Sequence, residues 1–309
     1  MMKTAKMIRE MQALSEIPLL FAEDFERGVA MRINGSKTYP FNMALAAADS
    51  PQLVYEMGKR IAADSKVLGV HWNLSPVVDV NNNAGNPIIN VRSFGESPEL
   101  VSQLGVMMLK GLHAGGMLSS LKHFPGHGNT TVDSHSDLAV IHGSKQQFLD
   151  TEVRPFKEAI ENGAYSVMVG HLGVESFNTA DTAATLSHTI ITGLLREQLG
   201  FKGIINTDAM SMKAISKYHK PGDAALMTVK AGTDVIMGSP EPLEGINAIV
   251  NAVKRGEISE ARIDRSVRKI LQAKKWAGVF DGPPPPISEV EKLFAENEID
   301  EISKDIAIR

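Results

Sequence analysis

The sequence of 309 residues contains no cysteine, so disulfide bonds and thiolate catalysis are excluded. No apolar run reaches the roughly 18 residues of a membrane-spanning helix, and we therefore expect no membrane partner. The formal net charge is −4, which gives no electrostatic basis for binding nucleic acid. No glycine-rich nucleotide-binding pattern follows a predicted strand, and we expect no cofactor.

The first residues, MMKTAKMIREMQ, also lack the apolar segment of a signal peptide. This absence favours the cytoplasm. The alternative is a periplasmic or secreted protein, if the sequence begins inside a longer chain.

What the sequence does have is a regular alternation of apolar strands and amphipathic helices. Strands are predicted at residues 17–22, 70–80, 117–121, 164–170, 204–208 and 233–238, with helices between them such as 50–66, 99–113, 145–162 and 187–199. This alternation is typical of a parallel sheet, and polar residues follow nearly every strand. The pattern predicts an α/β fold, a (β/α)8 TIM-type barrel. The six strands are fewer than the eight of a complete barrel.

One loop, LKHFPGHGNTTVDSHSDL at residues 121–138, is unusually dense in histidine and aspartate. In one interpretation, Lys122 and His123 only cap the preceding strand while the glycines form turns. In a second, His123, His127, Asp133 and His135 bind a metal ion, although no HExxH motif and no cysteine support this. In the third, Asp133 orients His135, two residues later, as a general acid and base.

The third interpretation agrees with a family resemblance. KHFPGHG followed by DSH resembles the β-N-acetylglucosaminidase branch of glycoside hydrolase family 3. The resemblance implies that Asp133 and His135 form the acid/base dyad of this branch, on a mobile loop. It also implies a TIM-type barrel and no metal.

The strand predicted at residues 204–208 ends at Asp208, in the segment NTDAMSM. An aspartate at this position is ordinarily a helix cap. However, the segment resembles the nucleophile motif of the same family, and the carboxyl end of a barrel strand lies at the mouth of the active site. We therefore predict that Asp208 is the catalytic nucleophile.

The same resemblance implies residues that bind the hydroxyl groups of the terminal sugar, namely Asp24, Arg32, Arg92, Lys122 and His123. Asp24 and Arg32 have the family's spacing, and Arg92 lies in an Arg-Ser-Phe-Gly segment. Arg27 departs from the family pattern after Asp24, which leaves the role of Glu26 open. His171 follows a predicted strand, and this position favours a place in the pocket.

Together these residues predict a retaining glycosidase, a β-N-acetylhexosaminidase that removes terminal β-linked N-acetylglucosamine from peptidoglycan fragments or chitooligosaccharides. A role in peptidoglycan recycling follows from the first substrate. The alternatives are a β-glucosidase of the same family, an N-acetylglucosaminide phosphorylase, a metal-dependent hydrolase on the same barrel and a sugar-binding barrel without turnover.

The domain prediction places the family 3 barrel at residues 1–280. Residues 281–309 begin with DGPPPP and are interpreted as a proline-rich linker and a helical tail that leads toward an absent second domain. Since relatives have a strand and helix before the first segment seen here, we expect either that the first βα unit is missing or that the barrel is incomplete.

Overall fold

The structure, a computed structural model, describes residues 2–295 and 301–308. Its strands are β1 (Ala22–Glu23), β2 (Trp72–Asn73), β3 (Leu118–Phe124), β4 (Ala139–Ile141), β5 (Ser166–Val169), β6 (Leu172–Val174), β7 (Ile204–Ala209) and β8 (Val235–Met237). Six of them form one sheet in the order β1-β2-β3-β5-β7-β8, and β4 pairs with β6 in a second sheet. All these pairings are parallel.

Helices connect the strands. They are α1 (Met2–Ala13), α2 (Asn42–Ala47), α3 (Pro51–Val67), α4 (Pro98–Ala114), α5 (Lys145–Asp150), α6 (Arg154–Glu161), α7 (Lys213–Ser216), α8 (Pro221–Ala231), α9 (Pro242–Lys254), α10 (Glu260–Trp276), α11 (Ile287–Ala295) and α12 (Glu301–Ile308). A π-helical segment, Thr189–Gln198, precedes β7. None of the helices in the described part of the chain is long and apolar enough to span a membrane.

The parallel sheet with crossover helices confirms the predicted α/β class and gives a partial barrel of six strands. Two elements differ from the prediction because of proline. The helix predicted at residues 145–162 is divided into α5 and α6, since Pro155 has no N–H for a continuous helix. The strand predicted at residues 70–80 is reduced to β2, because Pro76 cannot donate to the sheet. Beyond it, the Val78 N–H donates to the Lys122 carbonyl at 2.9 Å.

Side chains on the inner face of the sheet form layers along the strands. The lowest layer is apolar and includes Leu118 and Ile204, with Ala273 of α10 packed against it. Above it, the hydroxyls of Ser120 and Ser166 donate to the Asn206 side-chain oxygen at 2.8 and 3.0 Å. Because β-strand side chains alternate, the next inward positions fall at the carboxyl ends of the strands.

The proline-rich segment contacts the barrel. The Arg9 guanidinium donates to the carbonyls of Pro284 and Pro285, and Val290 of α11 is buried in the main core. The tail is helical in α11 and α12, as expected. The domain boundary at residue 280 stays a prediction.

Candidate active site

Polar side chains from several strands meet at the carboxyl edge of the sheet. Asp24 follows β1, Lys122 and His123 belong to the end of β3, and Asp208 belongs to β7. Since the carboxyl ends of parallel strands share one edge, residues far apart in sequence come together there. The edge is therefore the candidate active site.

The Lys122 ammonium is a buried positive charge at this edge. Lys122 is 2% exposed, and its Nζ lies 2.7 Å from Asp24 Oδ1 and 2.8 Å from Glu26 Oε1. Burial lowers the pKa of Lys122, but the carboxylates of Glu26 and Asp24 raise it above its ordinary value. The ammonium stays charged, because it is paired with two carboxylates.

Two arginines complete this charge cluster. Arg92 donates to both carboxylate oxygens of Glu26, at 3.0 and 2.7 Å, and Arg32 donates to Asp24 Oδ2 at 2.8 Å. Burial raises the pKa of Glu26, but Lys122 and Arg92 lower it well below its ordinary value. Glu26 is thus a buried, ionised member of the cluster. Its role was left open because Arg27 departs from the family pattern, and the sequence alone does not show its partner Arg92, 66 residues away.

Asp79 is a residue of this site that the sequence analysis missed. Its carboxylate is fully buried and accepts from the His123 N–H at 3.1 Å, the His127 N–H at 2.7 Å and His123 Nδ1 at 2.8 Å. Burial raises the pKa of Asp79, but His123 and His127 lower it below its ordinary value of 3.8. Because an ionised carboxylate only accepts, His123 carries its proton on Nδ1. Asp79 lies at the end of a predicted strand, which was the available signal.

We expect Asp79→Asn to destabilise the protein by about 2–4 kcal/mol at neutral pH. The amide would turn N–H donors toward the N–H groups that now donate to Asp79. Because the pKa of Asp79 is lowered by folding, its ionised form stabilises the fold fully at pH values above the ordinary pKa of 3.8. This stabilisation is lost as the pH falls through the lowered pKa, so the difference in stability between wild type and Asp79→Asn should narrow in acid.

Urea unfolding at several pH values measures this effect. Asp264→Asn, at an exposed position of α10, is the control and should change the stability by less than about 0.5 kcal/mol. Equal unfolding midpoints for the two variants at neutral pH would show that Asp79 has no such role.

Asp208 lies at the end of β7 and is partly buried. The Ala209 N–H donates to its Oδ1 at 2.7 Å. Burial raises the pKa of the Asp208 carboxyl, but His123, His171 and this N–H lower it below its ordinary value. The side chain is therefore a carboxylate at neutral pH, which is the form that a nucleophile requires.

Asp133 and His135 are paired on the loop that follows β3. Asp133 Oδ1 accepts from His135 Nδ1 at 2.7 Å and from the His135 N–H at 2.9 Å. The His135 side chain is 58% exposed. Because Nδ1 donates to the carboxylate, Nε2 is the ring atom that remains for chemistry.

His127 anchors this loop from inside. Its Nε2 lies 2.8 Å from Ser134 Oγ, and its Nδ1 lies 2.7 Å from Thr130 Oγ1. Burial lowers the pKa of His127 to about 4, so the ring is neutral at physiological pH. Because both nitrogens are bonded within the loop, His127 has a positioning role.

His171 lies at a strand tip, as expected, and both of its ring nitrogens are hydrogen-bonded within the protein. It is fully buried, with Nδ1 2.8 Å from Thr185 Oγ1 and Nε2 donating to the Ala209 carbonyl at 3.0 Å. The substrate contact expected for His171 stays a prediction. His171 supports the backbone next to Asp208.

Within the described residues, no group of three or more His, Asp or Glu side chains is arranged to hold a metal ion. His127 is bonded to Ser134 and Thr130, and Asp133 is bonded to His135. The metal-site interpretation therefore has no ligand set in this loop.

Known proteins are similar to this chain in sequence and fold. The family model described as the glycosyl hydrolase family 3 N terminal domain matches residues 1–273. The β-hexosaminidase A of Pseudoalteromonas piscicida is 36% identical over 242 residues, which are 73% of this chain and 40% of that protein.

Two solved structures extend the comparison. A glycoside hydrolase family 3 β-N-acetylglucosaminidase from Paenibacillus sp. str. FPU-7 has a TM-score of 0.90 and 36% identity, over 99% of this chain and 59% of its own. A β-glucoside phosphorylase has a TM-score of 0.91 and 26% identity, over 99% of this chain and 57% of its own. The chain thus spans roughly half the length of these proteins.

Proposed function

The chain belongs to glycosyl hydrolase family 3, and we propose that it is a retaining glycosidase that releases terminal β-linked N-acetylglucosamine. The proposed substrates are peptidoglycan fragments or chitooligosaccharides. The observation that carries the proposal is the 2.7 Å contact between Asp133 and His135, on a loop beside the edge where the Asp208 carboxylate lies. The names of the Pseudoalteromonas and Paenibacillus relatives support the sugar.

The proposed reaction has two displacements. In the first, the Asp208 carboxylate attacks the anomeric carbon, and His135 Nε2–H gives its proton to the departing glycosidic oxygen. In the second, neutral Nε2 takes a proton from water, whose oxygen attacks the same carbon and releases Asp208. Asp133 holds the ring through Nδ1 during both steps.

The charge cluster is proposed to bind the terminal sugar. Lys122 is paired with Asp24 and with Glu26, and Glu26 is also paired with Arg92, so the cluster is held in position before a sugar binds. Arg32 and His123 lie at the border of the same cluster and are proposed to contact hydroxyl groups. The hydrogen bond from Asp79 fixes the His123 ring for this purpose.

Release of p-nitrophenol tests the proposal. We expect turnover of the N-acetyl-β-glucosaminide and at least about tenfold slower turnover of the plain β-glucoside. Faster turnover of the glucoside would instead assign a β-glucosidase. Binding of N-acetylglucosamine without any turnover would indicate a sugar-binding barrel.

Phosphorolysis is a second candidate, because the fold matches a β-glucoside phosphorylase at a TM-score of 0.91. A neutral imidazole, unlike a carboxylate, does not repel an incoming phosphate anion. Inorganic phosphate would then replace water in the second displacement and give a sugar 1-phosphate. Failure of phosphate to accelerate turnover or to yield this product would exclude this candidate.

A further inference from the structure

The loop that carries His135 has a second attachment, on its outer side. The Asp137 carboxylate accepts from Lys217 Nζ at 2.7 Å and from the Tyr218 hydroxyl at 2.6 Å. The Leu138 N–H also donates to Asp137, at 2.9 Å. Asp137 is only two residues from His135, so its position fixes the backbone on which the imidazole is carried.

The partners of Asp137 belong to the element that follows the proposed nucleophile. Lys217 and Tyr218 come directly after α7, whose Ala214 and Ile215 are buried. Between Asp208 and α7, the N–H groups of Met210 and Ser211 donate to the carbonyls of Met237 and Gly238, at 2.9 and 3.0 Å. The segment from Met210 through α7 to Tyr218 is therefore bonded to the sheet, and this fixes its distance from Asp208.

The inner and outer attachments differ in character. Inside, Ser134 is bonded to the buried His127. Outside, the Asp137 and Lys217 side chains are 42% and 51% exposed. Ion pairs in water are weak and screened by salt, so the outer contact can form and break easily. When the outer contact is broken, the loop keeps its inner attachment and one long hydrogen bond, from the Lys213 N–H to the His135 carbonyl at 3.4 Å. If this long bond also lengthens, residues 135–138 can turn about Ser134 and carry His135 away from Asp208.

We propose that Asp137, Lys217 and Tyr218 form a latch that holds the acid/base loop over the nucleophile. They are positioning residues, and the proposal rests on the proposed glycosidase function. When the latch is closed, His135 Nε2 is aligned with the leaving oxygen. When it is open, the exposed side of the loop is free to move for substrate entry and product release.

The double variant Lys217→Met/Tyr218→Phe tests the latch, because it leaves the loop sequence intact. Loss of alignment should weaken proton transfer to the leaving group. We expect kcat/KM to fall about tenfold for a phenyl N-acetyl-β-glucosaminide and less than about twofold for the 2,4-dinitrophenyl substrate, which needs no proton. The control is Lys230→Met, which removes another exposed ion pair, with Glu257 at 2.6 Å. This control should leave kcat/KM for both substrates unchanged.

Millisecond hydrogen exchange supplies a readout that does not depend on turnover. The N–H groups of Ser136 and Asp137 donate to the Asp133 carbonyl, at 2.9 and 3.2 Å, and the Leu138 N–H to Asp137. We expect these amides to exchange faster in the double variant and at the wild-type rate in Lys230→Met.

Two results in the double variant would contradict the latch: unchanged exchange of these amides, or an equal fall in kcat/KM for the phenyl and 2,4-dinitrophenyl substrates. Inactivity of the wild type on every glycoside would instead refute the proposed function, and the catalytic role of the latch with it. Exchange would in that case still show whether the contact holds the loop.

Discussion

Replacing Asp208 by asparagine is expected to lower kcat on p-nitrophenyl N-acetyl-β-glucosaminide by on the order of 10⁴-fold or more. The amide has nearly the same shape and can keep the 2.7 Å hydrogen bond from the Ala209 N–H. It is uncharged, however, and cannot form the glycosyl ester. The loss is therefore expected without a matching loss of stability.

Steady-state kinetics and urea unfolding together measure this result. Asp264→Asn makes the same chemical change at an exposed position of α10 and should retain full activity. Retention of more than a tenth of wild-type activity by Asp208→Asn would contradict the assignment, because the reaction would then not need a carboxylate at the end of β7.

Replacing His135 by alanine should have the second largest effect. General acid catalysis contributes about 10²–10⁴-fold, so kcat/KM for a phenyl N-acetyl-β-glucosaminide should fall within this range. With the 2,4-dinitrophenyl substrate, the leaving group departs without a proton, and formation of the glycosyl-enzyme should be almost unchanged. Accumulation of that intermediate is expected, because the base for its hydrolysis is also missing.

The matched control is His142→Ala. His142 is another exposed histidine paired with a carboxylate, that of Glu175 at 3.0 Å. The His142→Ala variant should turn over both substrates at the wild-type rate. Burst kinetics on the two substrates distinguish the steps, and an equal loss for both leaving groups in His135→Ala would contradict a role as general acid.

Features with local signals could be predicted from the sequence. Apolar runs followed by polar residues identified the six strands of the central sheet and placed Asp24, Lys122 and Asp208 at its carboxyl edge. The contact between Asp133 and His135 was also predictable, because an aspartate two residues before a histidine can reach its ring without help from distant elements. The structure gives this contact at 2.7 Å.

Features that depend on distant partners could not be predicted. Asp79 contacts His123 across 44 residues, and Glu26 contacts Arg92 across 66. The attachment of Asp137 to Lys217 spans 80 residues. Each contact is set by the packing of strands and loops, which hydrophobic periodicity does not encode.

For His171, the sequence indicated the position but not the hydrogen-bond partners. A position at a strand tip brings a residue near the site, but the direction of its side chain depends on which hydrogen-bond partners lie around it. Here Thr185 and the Ala209 carbonyl take both ring nitrogens. Proximity to the edge was therefore predictable, whereas these two hydrogen bonds were not.

The central claim is that Asp208 forms a covalent bond to the sugar, and trapping this intermediate tests it most directly. A 5-fluoro derivative of N-acetylglucosaminyl fluoride should form the glycosyl-enzyme faster than it is hydrolysed. Trypsin would release residues 203–213, GIINTDAMSMK, in which Asp208 is the only acidic side chain. We predict that mass spectrometry will find the sugar on this peptide. Turnover with the adduct on a different peptide would contradict the account.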